Sequence, residues 1–297
     1  MLIDAHAHII RLDALKYTPP PGIKGTDVDL FLAEHDEAGF EKIVLVAQSM
    51  ERVHDSWIPV EPIIELRDKY PKKIMGLTST EPLDKQGKFN TKGLEFFEKS
   101  IKEWGLNGMM WSPGYGHWYP NDKAAYPFYE LAVEMDVPIY FHLATWWPNP
   151  MDHPLRYGRP HLLDDVIIDF PDLKINIEHM NYPNSDEILA MMSRSKNVYS
   201  DTAFLLSEHN PLAHKTYLRG TTILTFNLVK AKELGVIDKI MYGTDYAFSE
   251  PVDLKREVHW FRELLNEKSE KCGWETFTEE EIEGILGNNA KRFYDIK

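Results

Sequence analysis

The chain has almost no cysteine: Cys272 is the single one in 297 residues. One thiol excludes an intramolecular disulfide, and a reducing, cytoplasmic setting fits. Positive charge is also short. Lys and Arg total 33 against 47 Asp and Glu, a formal net charge of −14. No basic excess is available to neutralise phosphates, so a nucleic-acid partner is not expected. No apolar run reaches the roughly 18 residues of a membrane span. The opening Met1-Leu2-Ile3-Asp4-Ala5-His6 lacks the basic start and long apolar stretch of a signal peptide. No Gly-x-Gly-x-x-Gly follows an early strand, which disfavours a dinucleotide-binding sheet. No repeat or low-complexity tract stands out.

Apolar material, by contrast, is plentiful. Hydrophobic residues make up 43% and charged residues 27%, enough for a large core. Eight short strand-like runs occur: Leu2–His6, Lys42–Gln48, Lys73–Thr80, Leu106–Trp111, Pro138–Ala144, Leu173–Met180, Val198–Phe204 and Lys239–Asp245. Some are nearly all apolar, such as Ile43-Val44-Leu45-Val46, as in strands buried on both faces of a parallel sheet. Helical patterns lie between them. Val28–Phe40 ends near Gly39, Leu94–Trp104 stops at Gly105, and Ala125–Met135 precedes Val137-Pro138, each a plausible helix stop. Eight alternating strands and helices predict one (β/α)₈ barrel spanning residues 1–297, with its site at the C-terminal ends of the strands. The Pro-rich Tyr17–Gly22 reads as a loop over that mouth.

Four histidines and an aspartate sit at strand ends. His6 and His8 are two apart on the first strand and so share a side. His142 ends the fifth run, His179 the sixth, and Asp245, in Gly243-Thr244-Asp245, the eighth. A barrel brings these ends to one mouth. Imidazole and carboxylate form the ligand set of a divalent ion, with zinc expected and manganese the alternative. Without such an ion a buried Asp245 charge would be costly.

These residues, with Ile3-Asp4-Ala5-His6-Ala7-His8, Gly243-Thr244-Asp245-Tyr246 and the terminal Ile285-Leu286-Gly287-Asn288-Asn289-Ala290-Lys291-Arg292-Phe293, carry a resemblance. The chain resembles the amidohydrolase superfamily, and within it the amidohydrolase-related group that includes aminocarboxymuconate-semialdehyde decarboxylase. The resemblance implies that His6, His8, His142 and Asp245 are metal ligands. It makes His179 the histidine that helps activate metal-bound water, and Asp245 a general base in other branches. Binuclear members bridge two ions with a carboxylated lysine or a glutamate on the fourth strand. Here that strand reads Leu106-Asn107-Gly108-Met109-Met110-Trp111, so a single ion is expected. Close relatives often form dimers, which makes a homodimer an expectation of the same kind.

Around this centre, Arg52 follows the second strand and is a candidate grip for a substrate carboxylate. Trp111, Tyr115, His117 and Trp118 follow the fourth. Trp146 and Trp147 follow His142, with His153, Arg156 and Arg159 beyond. Aromatics near a metal suit a flat or apolar small molecule, and they also pack loops together. The site suits hydrolysis of an ester, lactone or amide through an activated water. The alternative is non-oxidative decarboxylation of an aromatic or muconate-type acid.

Overall fold

The computed structural model describes residues 1–13, 25–144, 153–206, 217–246 and 253–297. All eight expected strands form: β1 Leu2–Ala7, β2 Phe40–Val46, β3 Ile74–Ser79, β4 Met109–Trp111, β5 Ile139–Phe141, β6 Ile175–Ile177, β7 Val198–Asp201 and β8 Ile240–Met241. They pair in chain order, each parallel to the next. Backbone bonds from Ala5 N to Tyr242 O (2.9 Å) and from Thr244 N to His6 O (3.1 Å) close the seam between β1 and the residues after β8. The result is a (β/α)₈ barrel with helices outside. A short antiparallel hairpin, Gln48–Met50 with Ser56–Ile58, follows β2 and was not expected from the sequence.

Local signals place the elements. The helix Val28–Ala38 starts at Asp27, whose side chain accepts from Leu30 N, and stops at Gly39 with φ 86°, a left-handed turn that glycine takes without strain. The helix Tyr126–Glu134 is entered through a short 3₁₀ turn, Lys123–Ala125. From β3 onward the strands are shorter than the apolar runs predicted. The run ends leave the ladder, so His142, His179 and Asp245 lie just past β5, β6 and β8.

Two apolar layers hold the barrel. Ile3, Ala5, Val44, Val46, Met75, Leu77, Met110, Tyr140 and Met241 fill the interior, where Ala290 and Phe293 of the last helix close the lower end. The outer layer packs strands against helices and includes Ala7, Phe31, Phe40, Met109, Trp111 and Phe128. In β1, Ile3 and Ala5 face the interior while Ala7 faces outward. That change of parity coincides with a register irregularity between Asp4 and Ala7. It lets His6 turn inward beside Tyr140, with ring centroids 6.3 Å apart. No described helix is long and apolar enough to cross a membrane.

Candidate metal centre

His6, His8 and Asp245 converge at the mouth, all buried. Their hydrogen bonds fix which nitrogens carry protons. His8 Nδ1 lies 2.8 Å from Val46 O; a carbonyl only accepts, so Nδ1 donates and Nε2 presents a lone pair. His6 Nδ1 lies 3.2 Å from Asp201 Oδ2. Asp201 also accepts from Asn176 Nδ2 at 2.7 Å and from His179 N at 2.9 Å. Burial pushes its carboxyl up, but His6 and then His179 outweigh it and hold it at about 2. It is therefore an acceptor, and His6 Nε2 also presents a lone pair.

The two Nε2 atoms stand 3.1 Å apart. Asp245 Oδ1 is 3.2 Å from His8 Nε2 and 3.7 Å from His6 Nε2. Three acceptors facing one another repel unless a cation joins them. Without a metal that cation is a proton. Burial pulls the His6 imidazole down, yet Glu178, Asp201 and Asp245 together lift it to about 10.

The expected ligands divide into two neighbouring groups. His142 joins Glu178 and His179 rather than the first three. Its Nδ1 is 3.0 Å from Glu178 Oε2 and 3.1 Å from His179 Nε2. Glu178 lies between the groups, with Oε1 4.0 Å from His6 Nε2. Burial raises the Glu178 carboxyl to about 8 against the opposing pull of His6. Burial lowers both His142 and His179, so both imidazoles favour the neutral form that ligates. His179 donates through Nδ1 to Ala203 O at 2.9 Å, which leaves a lone pair on Nε2. Two buried atoms here lack hydrogen-bond partners, His142 Nε2 and Glu178 Oε1. Unmade bonds of this kind are expensive, and a divalent ion suits the whole donor set. His179 and Asp245 both take positive φ, 59° each, a backbone cost tolerated where geometry matters for function.

Three neighbours of this centre escaped the sequence reading. Glu178 and Asp201 carry the same signal as the histidines, a strand end, but a carboxylate there reads equally as a turn residue. Asp4 faces away from the cluster. It accepts from Thr244 N at 3.1 Å and Thr244 Oγ1 at 2.7 Å, and pairs with His35 Nε2 at 3.0 Å. It thereby anchors the residue next to Asp245 across the seam.

The substrate-side expectations fare differently. Trp111 is a correction. It packs outward against Trp118, Phe128, Tyr129 and Phe141, because β4 turns Met110 inward and its neighbour out. Arg52 is engaged: Nη1 donates to Gly116 O at 2.6 Å and His117 O at 3.2 Å, so it ties down the loop after β4. His117 stacks on Tyr157 at 5.5 Å. Tyr115 stacks on His142 at 5.5 Å, which places that loop against the centre. Arg156 reaches the Tyr157 hydroxyl and Arg159 reaches Asn184. Trp146 and Trp147, like Tyr17–Gly22, lie outside the described residues. A cleft of about 270 Å³ between Glu37 and Lys255, Arg262 lies on the outer helices, away from every ligating group.

The barrel and a His/Asp group able to hold a metal ion at its mouth define a class, the (β/α)₈ barrels with a candidate metal centre. Within it, a family model described as amidohydrolase matches residues 3–296, and the chain belongs to that family. Solved structures agree in fold. A dihydroxybenzoic acid decarboxylase from Polaromonas, with bound manganese and the inhibitor 2-nitroresorcinol, is 18% identical, with 99% and 97% of the two chains covered and a TM-score of 0.65. The 5-carboxyvanillate decarboxylase of Sphingomonas paucimobilis is 13% identical, covers 100% and 99%, and has a TM-score of 0.66. A probable 2-pyrone-4,6-dicarboxylic acid hydrolase from Acinetobacter baumannii is 15% identical, covers 99% of both chains, and has a TM-score of 0.64. No curated protein matches the chain.

Proposed function

We propose that the protein is a metal-dependent enzyme that removes carbon dioxide, without redox chemistry, from a small cyclic or aromatic carboxylic acid. The observation that carries the metal-dependent reading is the convergence of two imidazole lone pairs and one carboxylate oxygen within 3.1 to 3.7 Å. His6, His8 and Asp245 would hold the ion, with His142 and Glu178 beside it. When bound, a divalent cation there, manganese or zinc, supplies positive charge that holds and polarises a substrate oxygen. Of the two reactions the sequence left open, decarboxylation is favoured by the likeness to decarboxylases over whole chains.

The chain's own residues then have definite tasks. The bond from the ring carbon to the carboxylate breaks, its electron pair stays on the carbon, and carbon dioxide leaves. A proton must reach that carbon. The contiguous Glu178, His142 and His179, linked at 3.0 and 3.1 Å, are placed to hold and move it. Hydrolysis of a lactone is the second reading, favoured by the likeness to the pyrone-dicarboxylic acid hydrolase; there His179 would accept a proton from the attacking water.

The test is a panel of hydroxybenzoates, muconate-type acids, lactones and esters in deuterium oxide enriched in heavy oxygen. Decarboxylation predicts carbon dioxide release with deuterium from solvent on the ring carbon and no new oxygen in the organic product. Oxygen incorporation without carbon dioxide would replace this reading with the hydrolytic one.

A further inference from the structure

His153 stands outside the ligand groups, and no role above uses it. Its side chain is 3% exposed, yet neither ring nitrogen has a hydrogen-bond partner. Leaving a buried polar atom unpaired costs roughly 1–3 kcal/mol. Two on one ring mark a place where a partner is missing. The ring stands edge-on to Tyr115 at 4.6 Å and to His142 at 6.1 Å. It therefore borders the centre from the side of the β4 loop.

The chain around it leaves the ring room. A Cβ at Gly114 would lie 2.0 Å from His153 Nε2, and one at Gly158 would lie 2.5 Å from Leu143 O and 3.4 Å from His153 Cε1. The imidazole rests on bare backbone at Gly114, where any side chain would displace it. Burial favours the uncharged ring, which offers one N–H donor and one lone pair on opposite edges. A hydroxyl, which both accepts and donates, can meet either nitrogen. A carboxylate only accepts, so it can meet the N–H alone.

Building on the decarboxylase reading, we propose that His153 is a specificity-determining residue that hydrogen-bonds a hydroxyl group of the substrate while the substrate carboxylate is held at the ligand cluster. A buried polar side chain built for a hydroxyl rejects the analogue without it, because its own atoms are then stranded.

The test is equilibrium binding to manganese-loaded protein, by calorimetry, of benzoate and of the mono- and dihydroxybenzoates. At least one hydroxybenzoate should bind ten-fold or more tightly than benzoate. In His153→Phe, which keeps ring volume, that ratio should fall to about two or less, with benzoate affinity and manganese content unchanged. His153→Asn, which keeps a donor and an acceptor, should recover part of the ratio. Nitrogen-15 spectra of the labelled wild-type imidazole should also shift with the hydroxybenzoate and stay put with benzoate, which decides the matter should either variant fail to fold. A wild-type protein that does not discriminate, or that binds none of these acids, overturns the proposal, as does a ratio that survives in His153→Phe. If the acids bind with the expected ratio and release no carbon dioxide, the decarboxylase reading fails while the role of His153 stands.

Discussion

The two ends of the barrel are built from the same eight strands and obey opposite rules. At the lower end, Ile3, Ala5, Met75 and Met241 meet Ala290 and Phe293. The polar contacts there are few and self-contained: Tyr294 donates to the Tyr140 hydroxyl at 2.6 Å, and Tyr140 donates to Ala5 O at 3.1 Å. At the mouth, within a few residues along the same strands, seven titratable side chains are buried together: His6, His8, His142, Glu178, His179, Asp201 and Asp245. The lower end is held chiefly by apolar contact. The mouth instead gathers three carboxylates and four imidazoles, a donor set suited to a divalent cation. Stability and function are thus separated along the barrel axis, and substitutions at the two ends should move different observables.

The largest effect expected is at the mouth. His179→Asn should lower turnover by about 10²–10⁴, the scale of a positioned acid–base group, and keep most of the metal. Loss of the metal instead would make His179 a ligand. Second comes the lower end. Phe293, 3% exposed, packs on Tyr140 and Tyr199. Phe293→Ala should cost roughly 3–5 kcal/mol, read as a fall in Tm of order 10 °C, with metal affinity unchanged. A parallel loss of metal would show that the two ends are coupled.

The smallest effect tests buried charge away from both ends. Glu257 is buried on the outer layer, where Tyr242 donates to its Oε2 at 2.7 Å. Burial raises its carboxyl from 4.5 to about 7 despite that bond. The folded state therefore prefers the protonated form. Its stabilising contribution is full below about 4.5 and is lost as pH rises through about 7. Glu257→Gln escapes that loss. Its Tm relative to wild type should rise by a few degrees between pH 5 and pH 8. A Tm difference that does not change with pH would contradict the burial argument.

The same contrast explains what could be read from the sequence. The apolar lower end is written in runs such as Ile43-Val44-Leu45-Val46, so all eight strands were legible. Where each strand ends was not, because leaving the ladder depends on the contacts made at the mouth. The parity change in β1 was also invisible: a register irregularity between Asp4 and Ala7 leaves no mark in composition. His6, His8, His142, His179 and Asp245 stood out by residue type at strand ends. Glu178 and Asp201 did not, since strand-end carboxylates are ordinary and only their burial gives them meaning. Trp111 was misplaced because an aromatic beside a site was weighed over the alternation that sends it outward beside Met110.

A mouth built around a cation held by His6, His8 and Asp245 must carry that cation through purification. The most direct measurement is elemental analysis of protein purified without added metal, beside His6→Ala and Phe293→Ala prepared in the same way. Near-stoichiometric divalent metal is expected in wild type and in Phe293→Ala, with loss of most of it in His6→Ala. A wild-type protein without divalent metal that also fails to take up manganese or zinc, or a His6→Ala variant that retains its full complement, would contradict that assignment.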